Sequence, residues 1–141
     1  MATTYSTELD TLLNATPGVI LDGKVAGGRM RRYRATITLA SQAAGIIAAV
    51  RVPDGSVFAY GVINTDTSLG STTVAIGHDD DPDIYRSAAT HTATNAPTMF
   101  GRNLGLQEGA LSEQKVINLT TASAALPASG TLVVDFYFSQ G

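Results

Sequence analysis

The sequence of 141 residues contains no cysteine and no tryptophan. Without cysteine the chain has no disulfides, no thiolate metal sites and no cysteine nucleophile. Without tryptophan it lacks one favoured aromatic platform for sugars and bases. It has no run of about 18 apolar residues, the length that a membrane-spanning helix needs. The N-terminus, MATTYSTELD, also lacks the basic and apolar stretches of a signal peptide. We therefore predict no membrane partner and no secretion.

Charge is also scarce. Asp, Glu, Lys and Arg make up 15% of the residues, whereas about 25% is typical of soluble domains. The net charge of −3 argues against general affinity for nucleic acid or anionic membranes. The hydrophobic fraction of 44% is enough for one domain to bury a core without covalent staples. A weakly charged, polar surface of this kind is typical of β-rich assembly proteins.

Alternating and β-branched residues predict strands along most of the chain. Two strands, residues 57–63 and 72–76, are joined by polar turn residues. Further strands are predicted from residue 29 to 39 and over 45–52, 115–121 and 131–139, whereas 84–93 is ambiguous and 95–109 is mostly loop or short irregular strand. About seven or eight short strands without a long helical pattern indicate an all-β, single-domain β-sandwich or jelly roll, with a small barrel as the alternative.

Residues 1–18 are predicted to form an arm or short helix ahead of a β-sandwich domain over residues 19–141. Ser6 suits the N-cap of a helix over residues 6–14. The apolar side chains of this segment fall on one helical face: Tyr5, Leu9, Leu12 and Leu13. A helix of about nine residues is marginal alone, so it needs a surface, either on its own domain or on a neighbouring subunit. In the second case these four residues are candidate partner-binding residues.

A basic cluster lies at the start of the predicted strand from residue 29: Arg29, Arg31, Arg32 and Arg34. Strand alternation puts Arg32 and Arg34 on one face and Arg29 and Arg31 on the other, so they form no single broad patch. Guanidinium groups suit carboxylates and phosphates. The cluster is either a solvated strand face with local ion pairs or a docking surface for an acidic protein. Only Tyr33 supplies an interleaved aromatic ring, which disfavours nucleic acid. We treat the four arginines as candidate partner-binding residues.

Residues 78–83, HDDDPD, form the one dense group of oxygen ligands and are predicted to be a loop. Calcium takes six to eight oxygens, so Asp79, Asp81 and Asp83 are weak calcium candidates. The glycine and glutamate of an EF-hand loop are missing, and a solvated loop or a polar contact with a basic partner are the alternatives. We predict no metal site and no cofactor.

The sequence contains two histidines, His78 and His91, and neither lies in a zinc-protease or triad-like motif. Gly27 and Gly28 precede a strand, whereas a phosphate-binding loop needs a helix start. We therefore predict no catalytic residues and no enzyme activity.

Residues 18–40 (GVILDGKVAGGRMRRYRATITLA) and 57–77 (VFAYGVINTDTSLGSTTVAIG) resemble small virion structural proteins of tailed bacteriophages. Within that group the sequence is most similar to capsid decoration, or cement, proteins. The resemblance covers residues 1–77 well and the remainder loosely. It carries no catalytic motif.

The resemblance implies a β-rich protein that decorates and stabilises the outer surface of a phage head. Its implied partners are the major capsid protein and further copies of itself, as a homotrimer. Its implied location is the capsid surface of the virion, after synthesis in the cytoplasm of the bacterial host. The alternatives are another phage structural component, such as a tail-tube, connector or fibre-associated protein, and a surface module that binds carbohydrate or calcium.

Overall fold

The computed structural model describes residues 29–140, which form eight β-strands and one short helix. The strands are β1 (Arg29–Thr38), β2 (Ile46–Val52), β3 (Val57–Thr65), β4 (Thr73–His78), β5 (Asp81–Thr90), β6 (Thr98–Phe100), β7 (Lys115–Ala122) and β8 (Thr131–Gln140), and the helix is α1 (Asn103–Gln107). The predicted strands are confirmed, and most of the ambiguous segment 84–93 belongs to β5.

The strands make two antiparallel sheets, a first sheet in the order β1-β8-β3-β6 and a second in the order β2-β7-β4-β5. The pairs β1–β8, β2–β7, β3–β6 and β4–β5 are those of one long hairpin, and the pairs β3–β8 and β4–β7 roll that hairpin into two sheets. This pattern is the jelly roll, an eight-stranded form of the β-sandwich. The predicted all-β sandwich is therefore confirmed. Strands β3 and β4, adjacent in sequence, lie in different sheets.

Side-chain alternation decides which face of each strand enters the core. In β8, Leu132, Val134, Phe136 and Phe138 are all fully buried, while Val133 and Tyr137 are only half-buried on the opposite face. Strand β1 lies at the edge of the first sheet and buries less, with Ala35 inside and the arginines outside. The buried and exposed residues alternate because successive side chains of a strand point to opposite faces of the sheet.

The centre of the core is aromatic and joins the two sheets. Tyr85 of β5 stacks on Phe58 of β3 with ring centroids 4.2 Å apart, and Phe138 of β8 meets both rings edge-on. Burying a large apolar side chain contributes about 1.5–3 kcal/mol. These contacts hold the sheets together in a chain that has no cysteine.

The prediction that residues 78–83 form a loop is wrong. β4 ends at His78, β5 begins at Asp81, and these two residues pair directly across a tight hairpin. Gly77 permits this turn, because a Cβ there would lie 2.2 Å from the carbonyl oxygen of Asp81. Pro82 is tolerated because β5 is an edge strand.

Residues 95–109 contain the short strand β6, as predicted, and also α1, which was not predicted. Gly105 of α1 is buried against β5, where a Cβ would come within 2.7 Å of the Tyr85 ring. A helix of five residues carries no periodic sequence signal, so its position follows from this long-range contact.

The predicted arm or helix lies outside the described residues, and so do its candidate partner-binding residues: Tyr5, Leu9, Leu12 and Leu13. Within residues 29–140, no helix has the length and apolar character required to cross a membrane.

Candidate interaction surfaces

The edge strands β1 and β2 carry a group of exposed arginines, which we call the basic edge: Arg29, Arg31, Arg32 and Arg51. None of the four forms an ion pair with another residue in the described range. The Gln140 side-chain amide donates to the hydroxyls of Tyr33 and Ser56, at 2.8 and 2.9 Å. These bonds bring the turn after β2 to the start of β1. Arg51 was not among the predicted partner-binding residues, because it follows a run of alanines and valine on the neighbouring edge strand.

Arg34, the fourth predicted arginine, is used inside the domain. Its Nε and Nη2 donate to Oδ1 and Oδ2 of Asp135 at 2.8 and 3.0 Å, a bidentate pair that ties β1 to β8. Asp135 is buried, and its hydrogen-bonded carboxylate raises the pKa of Arg34. The predicted cluster therefore divides into three unpaired arginines and one with a structural partner.

The outer face of the first sheet carries aromatic and aliphatic side chains as well as polar ones. Tyr60 and Tyr137 stack there with centroids 4.6 Å apart. Beside them a shallow cavity of about 280 Å³ is lined by Arg34, Val62, Asn64, Pro97, Val133 and Asp135. The Asn64 side-chain oxygen is buried without a hydrogen-bond partner among the described residues. The signal for this face was present in the sequence, because Val133 and Tyr137 are apolar residues on the outward side of β8.

A second concavity, which we call the apolar groove, lies where β6 meets α1. It has a volume of about 360 Å³ and is lined by Ala59, Tyr60, Met99, Phe100, Gly101 and Leu106. Met99 is 70% exposed, and Leu104 and Leu106 are each 51% exposed. Sequence reasoning missed the groove because these residues fall in a segment that was predicted to be mostly loop.

The aspartates of the β4–β5 hairpin point to separate neighbours. Asp79 accepts from the Asn118 amide at 3.1 Å, and Asp83 lies 3.4 Å from the Arg102 guanidinium. Asp80 binds the Lys115 ammonium, and this hydrogen bond lowers the pKa of Asp80.

The calcium candidates Asp79, Asp81 and Asp83 are not brought together as ligands. Asp81 instead accepts the backbone N–H of Asp83 at 3.4 Å. Across residues 29–140, no three His, Cys, Asp or Glu side chains are grouped so that they could hold a metal ion.

One histidine forms a buried polar group with a carboxylate. His78 Nε2 lies 2.5 Å from Glu108 Oε2, and the Tyr85 hydroxyl donates to Glu108 Oε1 at 2.7 Å. Burial, with the hydrogen bond to Glu108 second, raises the pKa of Tyr85. Neither His78 nor Glu108 lines the two concavities described above. The group therefore anchors the segment after α1 to the β4–β5 hairpin.

Known proteins resemble this chain in structure but not in sequence. No family model matches it, and no curated protein matches it. A chain in the capsid of Ralstonia phage GP4 aligns with a TM-score of 0.66 at 19% identity, over 81% of this chain and 86% of that chain. A chain in the capsid asymmetric unit of cyanophage Pam1 aligns with a TM-score of 0.69 at 16% identity, over 100% of both chains.

A third aligned chain comes from the acid-stable capsid structure of the Helicobacter pylori bacteriophage KHP30. Its TM-score is 0.55 at 13% identity, over 80% of this chain and 95% of that chain. Likenesses at these identities show a shared jelly-roll fold.

Proposed function

We propose that this protein is a structural component of a bacteriophage particle that decorates the outer surface of the capsid and stabilises it. The observation that carries the proposal is the fold comparison. Chains in three phage capsids share the jelly roll over at least 80% of this chain and at least 86% of their own lengths. They are therefore proteins of comparable size, with the same β-sandwich forming most of each chain.

The surfaces of the domain suit attachment rather than catalysis. The basic edge presents Arg29, Arg31 and Arg32 without ion-pair partners among residues 29–140, and guanidinium forks pair well with carboxylates on a neighbouring protein. The partner in this proposal is an acidic area on the major capsid protein. A lattice offers many equivalent sites, so modest contacts add up to strong retention when copies are linked.

The proposed assembly is a homotrimer, in which a symmetric arrangement uses the same surface patches several times. The leading segment, with Tyr5, Leu9, Leu12 and Leu13, supplies an additional contact beyond the β-sandwich. In this proposal the protein lies on the virion surface after its synthesis in the bacterial cytoplasm.

Electron microscopy of particles carrying a labelled full-length chain tests the proposal. We expect label distributed over the whole head lattice, at many equivalent positions. Label confined to one vertex or to the tail would overturn decoration and favour a connector, tail-tube or fibre role. A matched particle that lacks the protein serves as the control for nonspecific label.

A further inference from the structure

We infer that the apolar groove is a docking site for the leading segment, residues 5–13, of a neighbouring copy of this chain. The inference rests on the homotrimer of the proposed function and deepens it by naming the surface that the leading segment contacts. It can be tested in solution without a capsid.

The groove has the features of a docking site. Strand β6 has only three residues and forms the edge of the first sheet. Beside it, the half-buried Tyr60 and the buried Phe100 form part of the groove wall. Met99 and Leu106 also line the groove and are mostly exposed, so they add apolar surface to it. Single exposed apolar residues are normal, but several around one concavity mark an interaction site.

The leading segment matches the groove in chemistry. Its apolar residues fall on one face of a predicted helix: Tyr5, Leu9, Leu12 and Leu13. An amphipathic helix that lays such a face into an apolar groove is a recurring mode of peptide recognition. A helix this short is marginal alone, so docking supplies the surface that it needs.

The homotrimer of the proposed function brings the groove of a neighbouring copy within reach of the leading segment. The described residues begin with Arg29 at the start of β1, and β1 and β6 are the opposite edges of the first sheet. Their separation is three strand spacings, about 14 Å. When two copies lie edge to edge, the start of β1 in one therefore adjoins the groove of the next.

The connecting chain is long enough for this contact. Leu13 and Arg29 are 16 positions apart (29 − 13), and an extended chain of that length spans up to about 53 Å. The resulting contact is head-to-tail, with the segment of one copy meeting the groove of the next. Such contacts close into a ring when the rotation between copies permits it.

Single-cysteine variants test the inference in the full-length protein. Because the natural chain has no cysteine, a disulfide between Leu12→Cys in one chain and Met99→Cys in another reports only that contact. A size tag on the second chain separates mixed dimers from homodimers on a non-reducing gel. Ile46→Cys is the matched control, since Ile46 and Met99 are both 70% exposed and lie on different sheets.

We expect the mixed dimer with Met99→Cys to form at least about tenfold faster than the one with Ile46→Cys, since docking raises the effective concentration of the two thiols. Adding Leu106→Asp to the Met99→Cys chain should remove this advantage, because it puts a charge into the groove. Circular dichroism checks that each variant is folded.

Three results would overturn the inference. One is equal rates with Met99→Cys and Ile46→Cys. Another is an undiminished rate after Leu106→Asp. The third is closure of the disulfide inside a single chain that carries both Leu12→Cys and Met99→Cys, without mixed dimers between the single variants, because the segment would then cover its own groove.

Discussion

Two buried histidines occupy different environments at the ends of strands in this domain. His78 is tied to Glu108, whereas His91 Nε2 is buried without a hydrogen-bond partner among the described residues. Burial, with the positive charge of Arg86 second, lowers the pKa of His91. The sequence identified both histidines as outside any catalytic motif. It could not predict the partner of His78, because Glu108 lies 30 positions away and reaches it only through the fold.

The lowered pKa of His91 makes stability depend on pH. Above the ordinary histidine pKa of about 6.5 both the folded and the unfolded chain are neutral at this position. Below it the unfolded chain takes up the proton more readily than the folded chain, so the free energy of unfolding falls as the pH falls. Each unit of pKa difference corresponds to about 1.4 kcal/mol.

We expect His91→Gln to reduce this loss of stability. The measurement is the free energy of unfolding by urea at about pH 8 and about pH 5, in the natural chain and the variant. The natural chain should lose more stability between these pH values than the variant does. An equal loss in both proteins would show that His91 does not contribute to the acid sensitivity.

Among the elements, the strands with regular alternation were predictable and the compact connections were not. The pattern of β8 gave both its bounds to within one residue and its buried face. The tight β4–β5 hairpin depends on the missing Cβ of Gly77 against the backbone at Asp81, and α1 depends on Gly105 against Tyr85. Gly105 and Tyr85 belong to different segments, whose contact no local sequence pattern encodes. Gly77 and Asp81 are close in sequence, but the aspartates and proline of residues 78–83 are also typical of a loop.

Adjacent valines of β8 provide a matched test of the two faces. Val134 is fully buried in the core, whereas Val133 is half-buried on the outer face. We expect Val134→Ala to lower the free energy of unfolding by about 2 kcal/mol, through lost burial and the cavity that remains. Val133→Ala should cost less than about 1 kcal/mol. Unfolding of both variants by denaturant measures the two losses of stability. Equal losses would contradict the assignment of Val134 to the inner face.

At the scale of the whole molecule, the sequence predicted the class of fold but not the order of its strands. The pair β1–β8 joins the first and last described strands, and its Arg34–Asp135 ion pair spans 101 positions. This pairing gives Arg34 an internal partner, whereas Arg29, Arg31 and Arg32 have no ion-pair partner in the part of the chain that the structure describes. The same folding brings Arg51 to the end of the sandwich where β1 begins, so the basic edge is a product of tertiary structure.

The basic edge leads to a prediction about attachment to the capsid. Replacing Arg29, Arg31 and Arg32 together by glutamine should weaken binding to heads that lack this protein by on the order of tenfold for each attached chain, since each exposed pair contributes modestly. The salt dependence of binding should become shallower as well. The fold should be unchanged, because these side chains are exposed and have no ion-pair partner among the described residues.

Arg102→Gln is the control, since it removes a positive charge that pairs with Asp83 away from the basic edge. Sedimentation of labelled chains with heads at low and high salt measures both effects, and a triple variant that binds like the natural chain at both salt concentrations would exclude the basic edge from the contact.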